Sequence, residues 1–241
     1  MSEIDQLTDK PNNLFIETTG IADAGELAAN FQSLYIAESF DLKKIITVID
    51  AQNVRLYKDD NPEIVKQIVA ADILIINKTN LIEVEVIVEI KDFIKSINPY
   101  AVMFLSKDGH LDRKFLDAPN VDKTFTNSTI YKSENNHKIK TTLFETDKYF
   151  DIQKLRYELF KSLYLFYNQI YRIKGYVLNE KKEVFLVQSV GKSSTITLIE
   201  NKEIEKSQLV FIGKDLELKS LERILKPAFA KKIKSDKILI S

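Results

Sequence analysis

Ile73-Leu74-Ile75-Ile76-Asn77-Lys78-Thr79-Asn80 is an unbroken apolar run that stops at a polar turn. The same pattern recurs through the first half of the chain at residues 14–17, 45–49 and 101–105. A strand that is apolar at every position, rather than at alternate ones, is covered on both faces, as strands of a parallel sheet are. The stretches between have helical spacing instead. Leu27, Phe31 and Leu34 share a face, as do Ile64, Val65, Ile68 and Val69, and then Val86, Ile90, Phe93 and Ile97. Asn61-Pro62-Glu63 is a strong helix start, because Asn caps free N–H groups, Pro at the first position needs none, and Glu favours the positive end of the helix. A doubly wound α/β arrangement is expected for this half.

From residue 109 to 136 the periodicity dissolves into Asp, Asn, Lys, Ser and Thr, which places an interdomain connection there. The second half has a different grammar. A strand over 139–144 leads to Asp151, which is placed to cap a helix carrying Ile152, Leu155, Leu159, Leu163 and Phe166 on one face. Strands are expected at 171–178, 184–190, 195–199 and 208–212. Their short polar connections at 179–182 and 200–202 suit antiparallel hairpins. A final helix over 216–225 and a lysine-rich tail complete a small α+β domain. Phe160, Tyr164, Phe166 and Tyr167 fall at helical spacing in apolar company, as core or interface residues do.

Composition narrows the chemistry. The 241 residues are 44% hydrophobic and 29% charged, with 35 basic residues against 35 acidic ones. A chain of this length forms about two domains and buries roughly 70 to 75% of its unfolded surface. Balanced charge gives no field steering it toward nucleic acid or an anionic membrane. No cysteine is present, so a disulfide, a thiolate metal site and a thiol nucleophile are excluded within this chain. His110 and His137 lie in polar sequence without metal-ligand spacing, and both are expected to be surface residues. No apolar run reaches membrane-span length and residues 1–6 lack signal-peptide character, so the cytoplasm is the expected location.

Five words fall in order on the predicted strand ends: Ile16-Glu17-Thr18-Thr19-Gly20-Ile21-Ala22-Asp23, Thr47-Val48-Ile49-Asp50-Ala51, Gln67-Ile68 with Ala71-Asp72, Asn77-Lys78-Thr79-Asn80, and Asn98-Pro99 with Ala101. In order and spacing they resemble the CobW-type P-loop GTPases, relatives of the nickel-insertion GTPases. Tyr171-Arg172-Ile173-Lys174-Gly175 and Leu209-Val210-Phe211-Ile212-Gly213-Lys214 resemble that family's C-terminal domain. The resemblance implies a partial P-loop GTPase-like parallel sheet over residues 1–135, followed by a CobW-like C-terminal domain over 136–241. It implies GTP and Mg2+ as ligands, zinc as a family metal, and metal delivery to a metalloenzyme client. Glu17 would hold the magnesium shell or orient the attacking water, and Gly20 would offer its N–H to the γ-phosphate. Asn77 would tie loops together, Lys78 would lie along the base, and Asn80 would occupy the position that reads guanine. Asp50 either faces the nucleotide crevice or forms a turn.

Two departures qualify this expectation. The family pattern is Asn-Lys-x-Asp, and Asn80 puts an amide where a carboxylate accepts two hydrogen bonds from guanine. One neutral bond beside a donor clash should cost on the order of 2 to 4 kcal/mol, roughly 30-fold to 1,000-fold in guanine affinity. In addition, the family's phosphate loop and Cys-x-Cys-Cys motif would precede Glu17, and neither is present in the sequence. Gly191-Lys192-Ser193-Ser194 imitates the end of a phosphate loop but has Leu186 at the required upstream glycine and lies between expected strands, and Gly213-Lys214-Asp215 fails likewise, so neither is expected to touch phosphate. The chain alone is therefore expected not to bind or hydrolyse GTP, and to hold no metal of its own. Either the natural product is longer, or another chain completes the sheet, or a remnant has repacked. Exposed sheet edges would favour self-association. The alternative function is a pseudo-GTPase that docks a client through its C-terminal domain, with neither nucleic acid nor membrane as partner.

Overall fold

In a computed structural model, residues 38–54, 62–112, 139–166 and 168–230 are described continuously, with residues 4, 7–9, 11–19, 27, 28, 30, 31, 36, 115 and 116 in addition. Strands β1 (Ile46–Asp50), β2 (Ile73–Asn77) and β3 (Val102–Leu105) form a parallel sheet in the order β1-β2-β3. Helix α1 (Pro62–Ala70) joins β1 to β2, and α2 (Val84–Ile97) joins β2 to β3. The second sheet is antiparallel, in the order β4-β8-β5-β6-β7, from β4 (Ile139–Thr146), β5 (Ile170–Leu178), β6 (Val184–Val190), β7 (Ser193–Ile199) and β8 (Ser207–Lys214). Helices α3 (Ile152–Leu165) and α4 (Leu218–Leu225) belong to the same half.

The molecule is layered. Val65, Ile68 and Val69 of α1 and Ile90, Ile94 and Ile97 of α2 share one apolar core with Leu74 and Ile76 of β2 and with Ile139, Leu143, Val210 and Ile212 of the antiparallel sheet. Those two helices thus pack between the sheets. On the opposite face of the antiparallel sheet, Phe144, Ile173, Leu209 and Phe211 meet Leu155, Leu159 and Leu163 of α3 and Leu221 and Leu225 of α4. Alternate residues of β8 serve different cores: Val210 and Ile212 face one way, Leu209 and Phe211 the other. Asp151 caps α3 by accepting from the backbone N–H groups of Gln153 and Lys154, as its position before an amphipathic run predicts.

Two expectations are corrected. Residues 14–17 are not a strand: they lie outside regular structure, with Leu14, Phe15 and Ile16 40%, 69% and 46% exposed. An isolated apolar run has no ladder to join, and among the described residues β1 pairs only with β2. The hairpin expected across 200–202 is also absent, because β8 lies between β4 and β5 rather than beside β7. The reason is burial. β8 is covered on both faces and needs a central place, whereas β7 leaves three of its seven residues exposed and suits an edge. Of the helix expected around 27–34, Leu27, Ala28 and Asn30 are helical and Phe31 is in a turn, while Leu34 lies outside the described residues.

Candidate functional site

The carboxyl ends of β1, β2 and β3 converge, and this is the edge of an open parallel sheet where ligands bind. The parallel register sets Asp50 beside Asn77. Lys78 turns the chain with a left-handed backbone, φ 62°, and starts a short 3-10 segment, Thr79–Leu81. Thr79 is buried and anchors the turn: its hydroxyl and its N–H both donate to the Ser106 carbonyl, at 2.8 and 3.2 Å. Asn77 Oδ1 accepts from the Gly109 N–H at 2.9 Å, which joins the loop after β2 to the loop after β3.

Lys78 Nζ donates to Asp50 Oδ2 at 2.7 Å. Asp50 also accepts from the N–H of Gln52 at 2.9 Å and the Asn53 amide at 3.0 Å. It therefore both forms a turn and faces the loop of the Asn-Lys-Thr-Asn word. The Lys78 hydrogen bond holds the Asp50 carboxyl below its ordinary value, against a smaller opposing effect of burial. Asn80 Nδ2 lies 3.5 Å from Asp108 Oδ1. A carboxylate is thus present next to the amide that replaces the expected one, supplied from the loop after β3. His110 is exposed, and its ring Nδ1 lies 3.1 Å from the Asp108 carbonyl.

Asn77, Lys78 and Asn80 are therefore brought together, with Asp50 alongside. Glu17 is exposed in a segment without regular structure, and Gly20 and His137 lie outside the described residues. Among the described residues no group of three or more His, Cys, Asp or Glu is arranged to hold a metal ion. The residues present fit the base end of a guanine nucleotide only in part, and nothing among the described residues provides a cradle for its phosphates. The tempting Gly191-Lys192 pair lies in the turn between β6 and β7, and Gly213-Lys214 ends β8. Gly213 is required for packing: a Cβ there would lie 1.8 Å from the Gln169 carbonyl oxygen.

The Asp108 loop was missed from sequence, since Asp-Gly-His reads only as a turn. A buried ionic cluster was missed as well. Asp72, between α1 and β2, is paired with Arg172 of β5 and lies 3.2 Å from Lys174 Nζ, while its Oδ2 accepts from the Ile45 N–H at 3.0 Å. Arg172 also donates to the carbonyls of Val69, at 3.0 Å, and Ala70 at the C-terminus of α1. Burial pushes the Asp72 carboxyl up, but Arg172, Lys174 and the Ile45 N–H together hold it below its ordinary value. The available signal was Arg172 and Lys174 at alternate positions, hence on one face, of an otherwise apolar strand.

Comparison with known proteins agrees with this architecture. Residues 1–104 match the CobW/HypB/UreG nucleotide-binding domain. Residues 139–228 match the cobalamin synthesis protein cobW C-terminal domain. Zinc-regulated GTPase metalloprotein activator 1 of Schizosaccharomyces pombe is 41% identical over 104 residues, which is 42% of this chain and 25% of that protein. The match spans about a quarter of the length of that relative. The Zn(II)-bound YjiA GTPase from E. coli has the same fold, with a TM-score of 0.63 at 18% identity over 87% of this chain and 68% of the other. A Zn(II)-bound triple mutant of the YjiA GTPase gives 0.64 at 19% identity over the same shares. With both of the family's domains matched in order, and a parallel sheet joined to an antiparallel one as in these structures, the chain belongs to the CobW family.

Proposed function

We propose that this chain serves metal delivery to a client metalloenzyme, and that by itself it neither binds GTP tightly nor hydrolyses it. The relative's description as a zinc-regulated metalloprotein activator supports the first half. The second half rests on one observation: the base-reading loop is closed on its own side chains, Lys78 on Asp50 and Asn80 toward Asp108. A guanine would have to displace these contacts without the phosphate interactions that supply most of a nucleotide's affinity.

Equilibrium dialysis with labelled GTP and Mg2+ tests this. Affinity no better than about millimolar is expected, and saturable micromolar binding overturns it. The same reading expects well under one zinc per chain after dialysis against a mild chelator, because thiolates are absent and His110 and His137 are distant in sequence. One tightly held zinc ion would refute that part.

A second reading, a pseudo-GTPase that docks a client through its C-terminal domain, is favoured by the exposed outer face of α3. Tyr157, Phe160 and Tyr164 there are each 63% exposed.

A further inference from the structure

We infer that Arg172 and Lys174 of β5 form, with Asp72, a latch that ties the C-terminal domain to the roots of all three parallel strands, so that the order of the loops at the far ends of those strands depends on the C-terminal sheet. The latch needs neither nucleotide nor partner. Asp72 is its hub. The Asp72 N–H donates to the Ile45 carbonyl at 2.8 Å, its carbonyl accepts from the Val102 N–H at 3.0 Å, and its Oδ2 accepts from the Ile45 N–H at 3.0 Å. One residue thus joins the chain entering β1 to the starts of β2 and β3. The remaining carboxylate oxygen, Oδ1, takes Arg172 and, at 3.2 Å, Lys174. Arg172 reaches further still, donating to the Val69 and Ala70 carbonyls at the end of α1.

The chemistry of the cluster makes it a latch rather than a sliding contact. Elsewhere α1 and α2 meet the antiparallel sheet through apolar side chains, among them Ile139, Leu143, Val210 and Ile212, and packed apolar layers can shear by small steps. An ionic cluster cannot. Arg172 and Lys174 are 4% and 5% exposed, so drawing β5 away from α1 leaves buried charges uncompensated, which costs more than the pairing itself contributes. The cluster is therefore either closed or open. From it β1 and β2 run only five residues each, about 17 Å, to the candidate site. At that end Lys78 holds Asp50, the Thr79 N–H donates to the Ser106 carbonyl, and the Ser106 N–H donates to the Ile76 carbonyl at 2.9 Å. Strands fixed at their roots keep these ends in register. A partner that moves β5 is then felt at the loops, and a ligand that orders the loops tightens the latch to the same extent.

Native-state hydrogen exchange of the full chain in low urea tests the latch. In the native chain the slowest amides of α1, β2 and β5 should share one urea dependence, because both domains open together. Arg172→Met keeps similar bulk and leaves Asp72 with Lys174, so the buried charge stays balanced while the reach to α1 is lost. In that variant the amides of Ile75, Ile76 and Thr79 should exchange at least about tenfold faster, with a smaller urea slope than those of β5, while the slowest amides of β6 stay within about twofold. Leu155→Ala removes a side chain from the other core and leaves the latch intact, so it should speed β2 and β6 by the same factor. Should Arg172→Met fail to fold, Arg172→Lys, which keeps the charge but not the fork, is read in its place with the same pattern at smaller size. Separate urea slopes for β2 and β5 in the native chain overturn the proposal. An Arg172 variant that speeds β2, Thr79 and β6 equally also overturns it, since that is the behaviour of a contact that only stabilises.

Discussion

Asn98 is 1% exposed, and its amide nitrogen donates to the carbonyls of Ile68, Val69 and Ala71 at 2.8, 3.2 and 2.9 Å. Its Oδ1 accepts from the Tyr100 N–H at 3.2 Å. Helix α1 has no basic residue in its last turn, so its orphan carbonyls are satisfied from elsewhere, by Asn98 and by Arg172. Asn98→Ala leaves buried carbonyls short of donors and should cost about 2–3 kcal/mol in urea unfolding. Asp72→Asn should cost more, about 3–5 kcal/mol, because two buried cations lose their only close carboxylate among the described residues. The sign with pH follows from the lowered Asp72 value. Its contribution is present above the ordinary 3.8 and is lost as pH falls through the folded value. A melting series across that acid window should therefore fall steeply for the native chain and less so for Asp72→Asn. From sequence, Asp72 and Asn98 were recognised as members of family words, but Arg172 lies 100 positions from Asp72 and Ile68 lies 30 from Asn98, so these partners could not be named.

At the level of elements, local pattern located most strands and helices because burial on both faces, on one face or on neither leaves a direct trace in residue order. The pairing of β8 left no such trace. Strand order depends on which edges need covering, and that is a comparison among all five strands. Gly175 and Gly213 mark the result. A Cβ on Gly175 of β5 would sit 2.0 Å from the Gln208 carbonyl of β8, far inside contact. Gly175→Ala should separate these central strands and destabilise by about 3 kcal/mol, read as a lower urea midpoint. Because both strands are central, circular dichroism of the variant should lose cooperativity rather than a single edge strand. A variant as stable as the native chain would refute the tight β5–β8 approach.

For the whole molecule, hydrogen exchange gives the most direct test of the layered arrangement. Amides of 12–19, outside regular structure, should exchange at nearly unprotected rates, those of β1 should be intermediate with one pairing partner among the described residues, and those of β8 should be slowest. Protection of residues 14–17 equal to that of β8 would show that this segment joins a ladder in solution. The amino-acid sequence by itself determined the class of each half, the β2 turn with Asn77, Lys78 and Asn80, the Asp151 cap and the absence of thiolates, since all of these depend on residue type and short-range spacing. Tertiary structure alone decided that residues 14–17 form no strand, that β8 enters between β4 and β5, that Asp50 holds Lys78 and Asp108 approaches Asn80, and that an aromatic stripe on α3 faces solvent. Each of these turns on which distant surfaces are left uncovered once the chain has packed, a property of the assembled layers that no local window of residues contains.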